Sequence, residues 1–139
     1  MRLGTDKKVE IIKGVPLFSR LSAKRLREVA SIADEVDLRA GKVLAKEGDR
    51  GREFFALLEG EVDVEQGGRH IRTLDAGDFF GEIALVAKMP RTASVIAKTD
   101  VRVLVITERD FGPLLKRNPD VGRGVAEALV ERLAPEIPV

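Results

Sequence analysis

The sequence predicts an α+β fold, mainly β, in which a small antiparallel barrel or sandwich carries helices on both flanks. Glycines recur between about residues 36 and 106 and separate short segments rich in Val, Leu and Phe, as in domains with many short strands. Apolar residues recur at helical spacing before and after this zone. We expect one domain over 1–139, with helices in 1–35, strands in 36–107 and helices in 108–134.

The flanking helices have recognisable boundary signals. Leu21, Val29 and Ile32 recur near the helical period, and Ser22 is suited to cap that helix. The segment 15–18 contains Pro and is expected to pack as a turn. Near the C-terminus, a helix opening at Asp110 is separated by 118–119 from a second helix that Pro135 ends.

The middle zone shows the two-residue period of strands. Val62 and Val64 alternate with acidic residues, which predicts a strand with one buried face. Gln66-Gly67-Gly68-Arg69 has the composition of a hairpin turn. Residues 70–74 alternate again, and the run 101–106 is the strongest strand candidate. His70, beside the turn, is expected to be an exposed strand residue.

Composition excludes most chemistry. The chain has no Cys and one His, which excludes disulfides, cysteine-ligated metals and sites that need two imidazoles. A net charge of +1 provides no electrostatic case for binding nucleic acid or acidic lipid. Because the sequence also lacks a membrane-length apolar run and a signal peptide, we expect a cytoplasmic protein without enzymatic activity, metal or cofactor.

The segment 79–95 departs from the strand rhythm. Gly81 and Glu82 are expected to open a short helix that Pro90 ends, with a strand returning from Thr92. The N–H groups at the start of a helix attract anions, and Gly81 leaves room for a ligand beside the backbone.

Two charged residues of this segment suit a nucleotide. The guanidinium of Arg91 matches a phosphate, and an ionised Glu82 accepts hydrogen bonds from sugar hydroxyls. Together they describe a nucleotide site without magnesium. The alternative is that they form an ordinary surface pair, which is worth under about 1 kcal/mol.

The segments 80–85 and 90–95 closely resemble the phosphate-binding cassette of the cyclic nucleotide-binding domain family. The glycine turns and strands at 41–44, 47–49 and 54–62 are similar to that family as well, and the resemblance covers about residues 10–133. It implies a β-roll or jelly-roll barrel with a cassette over 79–95, and a ligand that is cAMP or cGMP, with cAMP favoured.

The resemblance also implies roles for individual residues. Arg91 would pair with the cyclic phosphate and Glu82 would accept the ribose 2′-hydroxyl. The remaining positions would lie along the ligand, through backbone amides, a close-approach glycine or an apolar wall: Gly81, Ile83, Ala84, Ala93 and Val64. Val64 is equally well explained as core filling.

Three further positions bear on selectivity and response. A hydroxyl at Thr92 permits a bond to guanine, although a residue with high β propensity at a strand start is an equal explanation. Arg72 lies near a position that is often apolar in relatives, so the resemblance does not imply a contact between Arg72 and the base. Arg132 falls where bacterial channel relatives place an Arg that closes over the base, although arginines at helix ends are usually solvated.

Two functions remain open. The first is a regulatory domain that binds a cyclic nucleotide and transmits binding through movement of its C-terminal helices. The alternative is a ligand-blind domain of the same fold that serves as a protein-interaction or dimerisation module. The chain itself is expected to contact neither nucleic acid nor membrane, and its partner would be a second copy or an effector protein or domain.

Overall fold

The computed structural model describes residues 2–133, with side chains up to residue 130, and these residues form two compact units. The β unit comprises residues 34–108. The helical unit comprises the segments before residue 34 and after residue 108.

The β unit consists of two four-stranded antiparallel sheets with a jelly-roll-like arrangement. The first sheet has the order β1-β8-β3-β6 and the second has the order β2-β7-β4-β5. This architecture, with helices before and after it, confirms the predicted α+β fold. The strands are β1 Asp34–Leu38, β2 Val43–Ala45, β3 Glu53–Glu59, β4 Val62–Gln66, β5 Arg69–Leu74, β6 Phe79–Phe80, β7 Ser94–Ala97 and β8 Val101–Thr107.

The two-residue period of the strands builds the core of the β unit. In β8, Val101 and Val103 are buried within it, whereas the intervening Arg102 is partly exposed. Phe55 of β3 is also buried there, and its ring stacks on Phe80 of β6 with 4.9 Å between centroids. The other buried members of this core are Ala45, Leu57, Val62, Leu74, Val95 and Ala97.

The helical unit is formed by four α-helices and a short 3-10 turn within its described residues. The helices are α1 Thr5–Lys13, α2 Ala23–Ser31, α3 Glu108–Arg117 and α4 Pro119–Leu133, and the 3-10 turn spans Pro16–Phe18. Phe18 and Phe111 are fully buried and meet edge to face at 5.8 Å. Arg25 of α2 also binds Asp120 of α4 at 2.7 Å.

Several local predictions are confirmed. The hydroxyl of Ser22 accepts a hydrogen bond from the amide of Arg25 at 3.3 Å, so it caps α2 as expected. Gly67 and Gly68 both have positive φ in the turn between β4 and β5, which is the conformation that a two-residue hairpin turn requires. His70 is an exposed residue of β5.

Other boundaries differ from the sequence prediction. The helix α1 was not predicted individually, because its nine residues bury only Ile12 and so have little periodicity. The helix α3 begins at Glu108 rather than Asp110, directly after β8. Pro135, which was expected to end the last helix, lies outside the described residues.

Two further findings concern membrane spans and metal sites among the described residues. None of the helices within 2–133 is long and apolar enough to cross a membrane. Over the same range, no three acidic or histidine side chains come together in a group that could hold a metal ion.

Replacing Leu57 by Ala should destabilise the protein by about 2–5 kcal/mol, because the truncation leaves a cavity in the core of the β unit. Leu57 is 2% exposed. The control is Val43→Ala at a position that is 51% exposed, which should change stability by less than about 0.5 kcal/mol. Urea unfolding of both variants measures the difference, and equal losses would contradict the assignment of the core.

Candidate functional site

The cassette segment enters its turn through a glycine. Strand β6 ends at Phe80, and Gly81 follows with φ +82° and ψ 14°, a left-handed conformation that favours glycine. A 3-10 helix then spans Glu82–Leu85, and the amide of Ala84 donates to the Gly81 carbonyl at 3.1 Å. The short helix predicted here is therefore present as a single tight turn.

The return from this turn differs from the prediction. The 3-10 helix ends at Leu85, well before Pro90, so Pro90 does not end it. Pro90 instead lies opposite Arg50 in an isolated antiparallel bridge. The following strand, β7, begins at Ser94 rather than at Thr92, and residues 89–91 pair with another loop.

That second loop, residues 48–51, connects β2 to β3 and pairs with residues 89–91 through the backbone. The amide of Arg91 donates to the Asp49 carbonyl at 2.6 Å, and the amide of Gly48 donates to the Arg91 carbonyl at 2.9 Å. The amide of Gly51 donates to the Met89 carbonyl at 3.1 Å. These three bonds fix the backbone on both sides of Arg91, so the base of its side chain has a defined position.

The guanidinium of Arg91 lies between two glycines. Its Nη2 donates to the Glu53 carbonyl at 2.6 Å. A Cβ added to Gly81 would lie 2.5 Å from Arg91 Nη1, and one added to Gly51 would lie 2.8 Å from Arg91 Nε. Both distances are too short for real atoms, so any larger residue at either position would displace the arginine.

Burial lowers the pKa of Arg91 from its usual value, and the nearby charge of Glu53 opposes that shift. Arginine nevertheless stays protonated in proteins. Among the described residues, no carboxylate forms an ion pair with Arg91. The site therefore contains a half-buried, fixed positive charge whose one hydrogen-bond partner in the described chain is a neutral carbonyl, an arrangement suited to an anion.

The other predicted residues of the cassette precede and follow Arg91 in the sequence. Glu82 is buried, with an exposed fraction of 5%. Ala84 is buried, Ile83 and Ala93 are partly buried, and Thr92 is exposed. The Thr92 carbonyl accepts a hydrogen bond from Gln66 Nε2 at 2.9 Å, which ties the cassette to the end of β4.

Val64 and Arg72 are cross-strand partners in β4 and β5, so their side chains lie on the same face of the sheet. Val64 is partly buried and packs against the core of the β unit, which agrees with the core-filling interpretation of that residue. Arg72 is exposed. On this face of the sheet, the apolar side chains of the core are therefore followed by the solvent-accessible side chain of Arg72.

Sequence reasoning missed two participants in this site. Gly51 was considered only as a turn glycine, yet it forms one side of the Arg91 cradle. Glu53 contributes its carbonyl, a group that every residue has and that no sequence pattern marks. The side chain of Arg132 lies outside the described residues, so its predicted position over the base stays a prediction.

The β unit is thus jelly-roll-like, and its half-buried Arg91 side chain packs between Gly51 and Gly81 in an arrangement suited to an anion. The family model described as the cyclic nucleotide-binding domain matches residues 35–118. This chain belongs to that family.

The relatives fall into several kinds of protein. A cAMP-dependent protein kinase regulatory subunit of Mycosarcoma maydis is 42% identical over 118 residues, which are 76% of this chain and 22% of that protein. The chain spans between about a sixth and a third of the length of the curated relatives it matches.

Solved structures share the fold. The N-terminal domain of a transcriptional regulator from Streptomyces coelicolor A3(2) has a TM-score of 0.80 at 29% identity, covering 91% of this chain and 94% of that one. The regulatory domain of Toxoplasma gondii PKA, solved as a co-crystal with cAMP, has a TM-score of 0.71 at 26% identity, covering 79% and 44%.

Replacing Gly81 by Ala should destabilise the β unit more than replacing Gly77 by Ala. Both glycines have positive φ, so both substitutions carry a backbone cost of about 1–2 kcal/mol. A Cβ at Gly77 meets nothing within 4 Å, whereas one at Gly81 also meets the Glu53 carbonyl at 2.7 Å. Urea unfolding gives the two losses, and an equal loss at both positions would contradict the described packing around Gly81.

Proposed function

We propose that this domain is a regulatory sensor that binds cAMP or cGMP at Arg91 and has no catalytic activity of its own. The observation that carries the proposal is the half-buried Arg91 guanidinium, fixed between Gly51 and Gly81 and unpaired with any carboxylate of the described residues. A cyclic phosphate has one negative charge and two free oxygens, which suit the forked donors of arginine.

The remaining contacts follow from the chemistry of the nucleotide. Glu82, adjacent to Gly81, is an acceptor for the ribose 2′-hydroxyl. Its low exposure favours a strong hydrogen bond in the bound state, because a carboxylate away from water gains more from a donor. The backbone amides of Ile83, Ala84 and Ala93 are the proposed contacts to the phosphate, and Val64 is the proposed apolar wall beside the base.

The response is proposed to pass to the helices α3 and α4. Strand β8 ends at Thr107 and α3 begins at the next residue, Glu108, so no loop residue separates this strand from α3. A change in the β unit on binding would therefore be transmitted to α3 directly, as a shift between two populated packings.

A specific contact favours the alternative function, a ligand-blind interaction or dimerisation domain. Arg91 already donates to the Glu53 carbonyl at 2.6 Å, so its charge also serves to hold β3 against the cassette. In that case Arg91 would matter for folding and not for a ligand. The two functions differ in one measurable respect, which is stabilisation by nucleotide.

The first test replaces Arg91 by Ala and measures thermal unfolding with and without cAMP or cGMP. At about 100 times the dissociation constant, nucleotide should stabilise the native chain by roughly 2.7 kcal/mol. The Arg91→Ala variant should lose this shift, whereas Arg39→Ala, at an exposed position, should keep it.

Either of two results would contradict the sensor function. A nucleotide-induced shift that survives in Arg91→Ala would remove Arg91 from the site. No shift in the native chain, from a folded sample, would support the ligand-blind domain.

The preference for the base is tested at Thr92, whose side chain is exposed beside Arg91. If its hydroxyl bonds to guanine, Thr92→Ala should weaken cGMP binding by about twofold to tenfold, the value of one hydrogen bond, and leave cAMP binding unchanged. Thr92→Ser retains the hydroxyl and is the matched control. Calorimetric titration measures both affinities, and equal weakening for the two nucleotides would assign Thr92 a backbone role instead.

A further inference from the structure

We infer that Glu108, the first residue of α3, is a positioning residue for the Arg91 site and acts through Arg50. Neither residue belongs to the cassette, and sequence reasoning assigned neither of them a role. Both lie in the β unit, as do Arg52, Glu53 and Arg91.

Arg50 and Glu108 form an ion pair. Nη2 of Arg50 donates to Oε1 of Glu108 at 2.7 Å, and the two side chains are 28% and 30% exposed. The hydrogen bond from Arg50 is the largest cause that lowers the pKa of Glu108, and the charges of Arg52 and Lys88 act in the same direction. Glu108 is therefore an anion held among cations, with Arg50 as its direct partner.

The backbone of Glu108 is held in the same place. Its amide donates to the Arg52 carbonyl at 2.8 Å, and the preceding residue, Thr107, is the cross-strand partner of Glu53. Glu108 is thus anchored by its amide to the start of β3 and by its carboxylate to Arg50. The strand that anchors Glu108 is the one whose Glu53 carbonyl accepts from Arg91.

Arg50 connects this anchor to the site. It lies in the loop 48–51 and opposite Pro90 in the isolated bridge, between the bonds that fix the Arg91 backbone. Its Nε is buried without a hydrogen-bond partner among the described residues. A partly buried arginine whose Nε donor is unsatisfied depends on its remaining side-chain hydrogen bond for its position, and that bond is to Glu108.

Removal of the Glu108 charge should therefore loosen the loop 48–51 and, with it, the Arg91 backbone. The direction of the change in nucleotide affinity distinguishes a positioning role of Glu108 from a direct electrostatic effect of its charge. Loss of a negative charge near an anion site would strengthen nucleotide binding through space, whereas loss of a positioning contact would weaken it. Glu108→Gln keeps the size of the side chain and removes only the charge.

The first arm of the test needs no ligand. Amide hydrogen exchange of Gly48, Gly51 and Arg91 should accelerate by about twofold to fivefold in Glu108→Gln, the range expected for a partly exposed ion pair. The amide of Gly41, bonded to the Ala97 carbonyl at 2.7 Å in the same unit, should keep its rate and so exclude global destabilisation. Unchanged exchange at the three loop amides would overturn the inference.

The matched control is Asp37→Asn. Asp37 binds Nε of Arg102 at 2.8 Å, and Arg102, like Arg50, has a side chain that is 28% exposed. This pair joins β1 to β8, away from the loop 48–51 in sequence. Asp37→Asn should leave exchange at Gly48, Gly51 and Arg91 unchanged, and acceleration there in this control would also overturn the inference.

The second arm measures affinity for cAMP and cGMP by calorimetry, and this arm alone rests on the proposed function. Glu108→Gln and Arg50→Gln should each weaken binding by about twofold to fivefold. The double variant should be no weaker than either single variant, because the same Arg50–Glu108 ion pair is lost in all three. Tighter binding in Glu108→Gln, or additive losses, would refute positioning.

The two arms of this test can fail independently of each other. If the native chain bound neither nucleotide, the proposed sensor function would fail. The exchange of Gly48, Gly51 and Arg91 would still decide whether Glu108 positions the Arg91 backbone.

Discussion

A single half-buried guanidinium is the constraint on which the rest of the site depends. Arg91 stays charged although burial lowers its pKa, and its described partner is the neutral carbonyl of Glu53. A charge in that environment is costly unless it gains strong hydrogen bonds. The surrounding chain is built to hold it there: Gly51 and Gly81 leave the space, and backbone bonds at Asp49 and Gly48 fix its position.

The β framework explains why these groups meet although they are far apart in sequence. Strand β3 pairs with both β6 and β8, so the Glu53 end of β3 lies beside the turn that follows β6. The loop before β3 then reaches the residues that precede β7. The cradle therefore draws on residues 48–53, on Gly81 and on Arg91, and no single segment could build it alone.

The predictable features were those with a local cause. The hairpin at Gly67-Gly68 needs positive φ at successive residues, and the cap at Ser22 needs one hydroxyl at one position. The local sequence therefore reveals both features. The α+β fold followed from the change between helical and strand periods. The cassette was recognisable because Gly81, Glu82 and Arg91 lie within one short segment.

The features that could not be predicted arise from pairing at a distance. Gly51 has an ordinary backbone conformation, and its importance comes from the Arg91 side chain beside it. The Glu53 carbonyl has no sequence signal. The pairing of residues 48–51 with residues 89–91 is likewise not marked in the sequence of either segment. The roles predicted for Glu82, Ile83, Ala84, Thr92 and Ala93 remain predictions about a bound state.

The central claim is that Arg91 is held in place for an anionic nucleotide, and nuclear magnetic resonance tests it most directly. In a titration of the native chain with cAMP and then cGMP, the side-chain Nε–H of Arg91 and the amides of Gly81 and Ala84 should shift together and saturate at one concentration. The amide of Gly41, on the turn before β2, should stay unchanged. Arg91 resonances that do not move at saturating nucleotide, or that move only with residues outside the cassette, would contradict the account.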